Sequence, residues 1–149
     1  MIVAYESVID AARDILSVAR KTILEEGTHL PTAILHTLEG LFPILLPFKN
    51  NEQKSALVEF VKQQAMEKHA FAVTMITCGR IVNSRTGEEE ESLVLATSIQ
   101  GGRPHLIIQP YFRGPDRHVI GFGDIEEGDL AAMPGQMMII PPWDEQVSH

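Results

Sequence analysis

Residues 30–48, LPTAILHTLEGLFPILLPF, constrain the fold most, because they carry one charged side chain in 19 residues yet contain several prolines. A membrane helix needs about 20 apolar residues whose backbone groups are paired within the helix. Pro43 and Pro47 would each remove a donor from such a helix, and Glu39 would place a charge at its centre. Gly40 takes positive φ at little cost, so Glu39-Gly40 predicts a two-residue hairpin turn. The stretch therefore predicts a buried β-hairpin.

A turn at Glu39-Gly40 also fixes the predicted pairing of the two strands. Leu35 would lie opposite Ile44, on the buried side of the hairpin. His36 would lie opposite Pro43, which suits an edge strand, where a missing N–H does little harm. We expect His36 to be packed rather than reactive, because most of its neighbours in sequence are apolar.

Length and composition favour one globular domain. A chain of 149 residues with 44% hydrophobic residues is long enough to bury a core without disulfides. The single cysteine, Cys78, excludes an internal disulfide framework and is typical of a reducing, intracellular setting. The N-terminus lacks the basic start and apolar run of a secretory signal, so we expect a cytoplasmic protein. The net charge of −8 argues against nucleic-acid binding, and no membrane association is predicted.

Two segments have helical periodicity. In the first, apolar side chains recur every three or four residues between Tyr5 and Ile23, and Gly27 should end the helix. In the second, Asn50 or Asn51 should cap the helix. Its buried stripe is predicted to consist of four residues, Leu57, Phe60, Val61 and Ala65. We expect both helices to cover the same face of a sheet.

The rest of the chain has the periodicity of strands. From Ala70 the apolar residues no longer follow a helical period, and the run is apolar on both sides, as in a central strand. Two further strands are predicted to meet at Gly101-Gly102, HVIGFG is predicted as another, and a short strand is predicted to begin at Met133. We therefore predict a single α+β domain over residues 1–140, followed by a tail over 141–149. Its sheet should be mainly antiparallel, with about five to six strands, and both helices should pack on one face.

A two-residue turn at Gly101-Gly102 sets the register of the second hairpin. It would place Ser98 opposite His105 and Val94 opposite Gln109. The inward residues would then be Leu95, Thr97, Leu106 and Ile108. Polar side chains would sort to one side of this hairpin and apolar side chains to the other.

This layout resembles a group of small uncharacterised bacterial proteins in which a helix precedes a Pro-Thr hairpin, a second helix and a long β-meander. The features that carry the resemblance are Pro31-Thr32, the strand at Ala70 and the arginine that closes YFR, Arg113. The element order is also similar to that of roadblock/profilin-type modules. The resemblance implies a fold and no activity.

Few residues are spaced for chemistry. The four glutamates at 88–91 are predicted to lie in a solvated loop, because consecutive like charges repel one another. The six histidines have no HExxH, HxH or His-x₃-His spacing, so neither a metal site nor a cofactor is predicted. Cys78 is expected to be an inert core thiol, although Arg80 on the same side of the strand leaves a reactive thiol open.

The strongest candidate for a binding site is a polar strip on the strand after Gly101-Gly102. Its five residues alternate in sequence and would point the same way: Arg103, His105, Gln109, Tyr111 and Arg113. Arginine recognises carboxylate or phosphate through two parallel hydrogen bonds, and tyrosine is favoured at binding surfaces. The same alternation is also typical of an ordinary solvated sheet face.

Two classes of function remain open. The favoured one is a non-enzymatic interaction or ligand-binding module, expected to be homo-oligomeric, with an acidic protein or a small anionic ligand as a further candidate partner. It would use the polar strip or the methionine-rich segment MPGQMMIIPPW. The alternative is a small enzyme for an anionic substrate, with His105 as the acid-base group and Arg103 and Arg113 as substrate ligands. The sequence shows no motif for a nucleophile or a carboxylate partner to His105, so we rank the enzyme second.

Overall fold

The computed structural model describes residues 5–47, 50–82, 86–101 and 103–129, which form two helices and seven β-strands. In chain order these are α1 (Tyr5–Glu26), β1 (Thr32–Thr37), β2 (Gly40–Leu45), α2 (Asn51–Glu67), β3 (Ala72–Val82), β4 (Glu89–Ile99), β5 (His105–Arg113), β6 (Val119–Phe122) and β7 (Glu126–Asp129). The α+β class and the antiparallel sheet are as predicted, but the described residues contribute seven strands to the sheet rather than five or six. The predicted strand at Met133 and the tail at 141–149 lie outside the described residues, so the domain boundary stays a prediction.

Both helices begin or end where their capping residues predict. Gly27 ends α1 with φ of +78°, and its N–H donates to the carbonyl of Ile23 at 2.9 Å. Asn50 caps α2, because its side-chain oxygen accepts from the N–H of Gln53 at 2.8 Å. The buried side of α2 differs from the prediction in one residue. Val58 packs there instead of Phe60, whose side chain is 45% exposed.

The strands form one sheet in the order β2-β1-β3-β4-β5-β6, with every neighbouring pair antiparallel. β6 and β7 share the outer edge of β5, since β6 pairs with its C-terminal part and β7 with its N-terminal part. β3 lies inside the sheet and is buried on both faces along its first half, as predicted for a central strand. β2 is the edge strand at the other side.

The first hairpin forms as predicted, but its turn lies one residue earlier. Leu35 pairs with Phe42 rather than with Ile44, and Leu38 and Glu39 form the two-residue loop. The side chain of Thr37 explains the shift, because its hydroxyl donates to the carbonyl of Gly40 at 3.0 Å and accepts from the N–H of Glu39 at 3.2 Å. Moving the turn by one residue changes each partner by two positions, so every side chain keeps its predicted face.

The register predicted for the second hairpin is wrong by one residue. Thr97 pairs with His105 and Leu95 with Ile107, whereas the prediction paired Ser98 with His105. The loop is longer than two residues, because the N–H of Gln100 donates to the carbonyl of Phe71 at 2.9 Å and β5 starts only after Pro104, which has no N–H. A slip of one residue turns β5 over relative to β4.

The two helices pack on opposite faces of the sheet, contrary to the prediction. Ile76 and Leu95 contact α1, whereas Val73 and Met75 contact α2. Successive side chains of a strand point to opposite faces, so these contacts define two layers of helix with the sheet between them. We call the face toward α1 the α1 face.

The glutamate run at 88–91 is not a loop. β4 begins at Glu89, and Glu91 lies opposite Arg80 in the ladder with β3. The predicted solvated loop is therefore wrong for three of the four glutamates. A run of like charges can be part of a strand when basic side chains lie beside it.

Candidate functional site

The predicted polar strip does not lie on an open sheet face. Because of the changed register, the odd-numbered residues of β5 point to the α1 face, and Gln109 and Tyr111 are only 5% and 4% exposed. Arg103 is exposed but lies in the loop before β5. The strip therefore consists of side chains that are mostly covered by the rest of the chain.

Gln109 connects α1 to the turn between β6 and β7. Its side-chain oxygen accepts from Nη1 of Arg20 at 3.3 Å, and its Nε2 donates to the carbonyl of Gly123 at 2.9 Å. Gly123 can lie this close to β5 because it has no Cβ, which would be 2.9 Å from the ring of Pro110. Both ends of the Gln109 amide are thus used in holding the fold together.

Arg113 holds the end of α1 against the sheet. Its Nε donates to Glu91 at 2.9 Å, Nη2 to the carbonyl of Gly27 at 2.9 Å, and Nη1 to the carbonyl of Arg117 at 2.8 Å. The hydrogen bond from Arg113 holds the pKa of Glu91 below its usual value. The guanidinium also lies 5.5 Å from the centre of the Tyr111 ring. These contacts occupy each guanidinium nitrogen and leave Arg113 poorly placed to bind an external anion.

Cys78 lies beside Tyr111 on the α1 face and is half-buried. Burial raises the pKa of the Cys78 thiol, so the nucleophilic thiolate is disfavoured. Burial likewise raises the pKa of the Tyr111 hydroxyl. Arg80, which could have activated the thiol, is exposed, and its Nε lies 4.0 Å from Oε1 of Glu89. The raised pKa and the pairing of Arg80 with Glu89 therefore favour an inert Cys78 thiol over a reactive one.

His105 lies far from Arg113, at the opposite end of β5. Its Nε2 is 3.7 Å from Oε1 of Glu127, whose carboxylate accepts two hydrogen bonds from Arg13 at 2.9 and 2.8 Å. Eight residues along a strand separate His105 from Arg113, which corresponds to roughly 26 Å. One small anion cannot contact both side chains, so the structure does not assemble the site expected for the enzyme.

A groove on the α1 face, beside α1, was not anticipated from the sequence. α1 packs over β3, β4, β5 and β6, and neither described helix lies above β2 and part of β1 on this face. The groove has a volume of about 650 Å³. Nine of the fifteen described residues that line it are apolar, among them Ile34, Leu41, Pro43, Leu45, Ile15 and Val18. This volume and this lining are typical of binding pockets.

The apolar side chains along this groove remain open to solvent. Val18 is 66% exposed, Leu45 61% and Leu41 49%, and Leu30 at the end of the groove is 56% exposed. Single exposed apolar residues are ordinary, but a contiguous group marks an interaction surface. We refer to the groove between α1 and the β1–β2 hairpin as the edge groove.

The charges that line the edge groove have one sign. Asp14 and Glu26 of α1 are at its wall, and the described residues that line it include one histidine, His29, but no lysine or arginine. Neither carboxylate forms an ion pair with another residue in the part of the chain that the structure describes. Thr32 on the floor is 5% exposed, and its hydroxyl donates to the carbonyl of Leu30 at 2.9 Å. The groove therefore combines an apolar floor with an acidic wall.

Among the described residues, no group of three or more histidine, cysteine, aspartate or glutamate side chains is arranged to hold a metal ion. No described helix is long and apolar enough to cross a membrane. No protein-family model, curated protein or solved structure matches the chain.

A signal for the edge groove was present in the sequence of β2. An edge strand that covers a core on one face should alternate apolar and polar residues, yet residues 41–45, LFPIL, are apolar at every position. Phe42 and Ile44 face the α2 core, while Leu41 and Leu45 point the other way. The second apolar face of an edge strand indicates a further binding surface.

Proposed function

We propose that the protein is a non-enzymatic binding module and that the edge groove holds the apolar surface of a partner. The observation that carries this proposal is the exposure of Val18, Leu41 and Leu45 around one groove. Fully burying one such side chain contributes about 1.5–3 kcal/mol, so three of them would support a specific complex. The absence of an assembled set of His105, Arg103 and Arg113 around one small substrate favours binding over catalysis.

Of the partners predicted from the sequence, a second copy of the chain is compatible with this proposal, and an acidic or anionic partner is less so. A second copy of the chain is a candidate occupant of the edge groove, and homo-oligomer formation stays a prediction. An acidic protein or small anion at the strip of Arg103, His105, Gln109, Tyr111 and Arg113 draws little support, because most of these side chains are engaged within the fold. The cytoplasmic location also stays a prediction.

The test uses Nile red, a neutral dye that fluoresces when it enters an apolar site. Val18→Asp places a charge on the wall of the groove at a position that is already 66% exposed, so the fold should be retained. The matched control is Leu24→Asp, on the same helix, 46% exposed and outside the groove. We expect Val18→Asp to weaken dye binding at least about tenfold and Leu24→Asp to leave it unchanged. Equal binding by the wild type and both variants would refute the proposal.

A further inference from the structure

We infer that the edge groove binds an amphipathic α-helix whose apolar stripe is flanked by lysine or arginine side chains. This inference rests on the function proposed above and specifies the partner. Three features carry it: the two strands beside α1 that no described helix covers, the blocked hydrogen bonding of β2, and the acidic side chains on the α1 wall of the groove.

The width of the uncovered part of the sheet matches one helix. Neighbouring strands lie about 4.7–4.9 Å apart, and two helices that pack side by side need about 8–10 Å between their axes. β2 and β1 together therefore provide the space that a helix beside α1 requires. β2 has six residues and a length of about 20 Å, which a helix of about 13 residues would span.

Addition of a strand to the edge of the sheet is less favourable than a helix in the groove. The N–H of Leu46 donates to the carbonyl of Pro31 at 2.8 Å, so these two residues form a hydrogen-bonded pair. Because hydrogen-bonded and non-hydrogen-bonded pairs alternate along an antiparallel ladder, Ala33 and Ile44 form the next hydrogen-bonded pair. Ile34 and Pro43, which lie between these pairs, are not hydrogen-bonded to each other. The backbone of Pro43 thus points to the open edge, where it has no N–H to donate. An added strand would lose a hydrogen bond at the middle of β2, whereas a helix does not need the strand backbone.

Within the described residues, a second copy of the chain offers no suitable helix. The apolar sides of α1 and α2 are already buried in their own cores. The large apolar side chains that remain exposed on them are Val18 and Leu24 on α1, and Phe60 and Met66 on α2. Each pair is six residues apart, about 120° around the helix, so neither forms a stripe. The occupant must bring its own apolar stripe.

The acidic side chains of the groove favour basic residues beside the apolar stripe of the bound helix. Asp14 and Glu26 are twelve residues apart on α1, a distance of about 18 Å, so they lie near the two ends of a bound helix. A helix with basic residues beside its apolar stripe would place a cation near each carboxylate. Acidic flanks would be repelled by both carboxylates and by the net charge of −8.

Two designed peptides test this inference. Each has about 14 residues and the same leucine stripe at helical spacing, and the flanking positions are lysine in one and glutamate in the other. We expect the lysine peptide to bind the wild-type protein at least about tenfold tighter at low salt, measured by fluorescence anisotropy. The ratio should shrink at roughly 0.5 M salt, because screening weakens exposed ion pairs.

Substitutions on α1 connect the preference to the groove. The double variant Asp14→Asn, Glu26→Gln should lose most of the preference for the lysine peptide while retaining Nile red. The control Glu88→Gln, Glu89→Gln removes the same charge outside the groove and should keep the preference for lysine. Equal binding of the peptides by the wild type, or an equal preference for lysine in the two double variants, would overturn the inference.

The dye separates failure of this inference from failure of the proposed function. If Val18→Asp abolishes Nile red binding but the peptides are not distinguished, the groove binds apolar partners and only their identity is wrong. If Val18→Asp has no effect on the dye, both proposals fail. Sedimentation adds one more outcome, since a dimer that Val18→Asp dissociates would assign the groove to a second copy and overturn the inference of a separate helix.

Discussion

The α1 face of the sheet has two regions, a covered region beneath α1 and an edge region formed by β2 and part of β1. Polar side chains are buried in the first, and apolar side chains are exposed in the second. Beneath α1, the hydroxyls of Thr74 and Thr97 share a hydrogen bond of 2.9 Å, and both residues are fully buried. Beside α1, Leu41 and Leu45 are 49% and 61% exposed on the edge strand. The covered region therefore buries polar side chains, while the edge region exposes apolar ones.

This contrast teaches that polarity alone does not locate the surface of a sheet. A buried polar group costs little when its hydrogen bonds are made, as they are for Gln109. An exposed apolar group is tolerated at an edge and becomes favourable when a partner covers it. The position of α1 determines which part of this face is buried, and the sequence of a single strand does not specify that position.

The largest expected effect compares two leucines, one from each region. Leu95→Ala removes a side chain that is 0% exposed beneath α1, and we expect it to lower the free energy of unfolding by about 2–5 kcal/mol. Leu45→Ala makes the same chemical change at a position that is 61% exposed, and should change it by less than about 0.5 kcal/mol. Urea denaturation of both variants measures the difference. Similar losses at the two positions would show that β2 is covered in the isolated protein.

The next effect concerns pH and the buried histidine between the two regions. His36 is 2% exposed, its Nε2 is 2.8 Å from the hydroxyl of Thr74, and burial lowers its pKa from 6.5 to about 4. As the pH falls below 6.5, the unfolded chain takes up a proton at this histidine that the folded protein excludes. The stabilisation is therefore complete above pH 6.5 and is lost as the pH falls to about 4, at about 1.4 kcal/mol per pH unit.

The variant His36→Gln isolates this contribution, because glutamine can bond to Thr74 but does not titrate. The difference in unfolding free energy between the wild type and the variant should move in favour of the variant by about 3 kcal/mol between pH 7 and pH 4. Denaturation with urea at a series of pH values gives this difference. A difference that does not vary with pH would mean that His36 is protonated as readily in the folded protein as in the unfolded chain.

Features set by local sequence could be predicted. The helix that ends at Gly27, the hairpin around Glu39, the cap at Asn50 and the central strand β3 all follow from residues close together in the chain. Capping, turn chemistry and periodicity are short-range effects, so one sequence contains enough information to identify them.

Features set by long-range contacts could not be predicted. The register of β5 depends on the hydrogen bond from Gln100 to Phe71 and on Pro104, and a slip of one residue turned the candidate strip from the surface to the interior. The placement of α1 and α2 on opposite faces depends on which face of β3 each helix meets. The edge groove exists only because α1 lies away from β2. The sequence alone therefore could not indicate that residues of α1, β1 and β2 line one groove.

A smaller effect is expected for the polar group that links α1 to β5. Gln109→Ala removes both hydrogen bonds of a side chain in a residue that is 5% exposed and leaves the carbonyl of Gly123 without this donor. We expect a loss of about 1–3 kcal/mol in urea denaturation, whereas a solvent-facing Gln109 would lose almost nothing. Gln63→Ala, on the exposed side of α2, is the control and should be near neutral. A neutral Gln109→Ala would restore the register predicted from the sequence.

The smallest change in stability is expected at Pro43, where the edge region meets solvent. Pro43→Val supplies β2 with an outward N–H while keeping an apolar side chain, so we expect the free energy of unfolding to change by no more than about 0.5 kcal/mol. A β2 edge with its donor restored is a better template for pairing with another strand, because proline at an edge normally prevents such contacts. Sedimentation at increasing concentration should therefore show more association for Pro43→Val than for the wild type. The control is Pro47→Val, which follows β2 and lies outside the ladder. If Pro43→Val associates no more than the wild type, the edge of β2 is protected by something other than its proline.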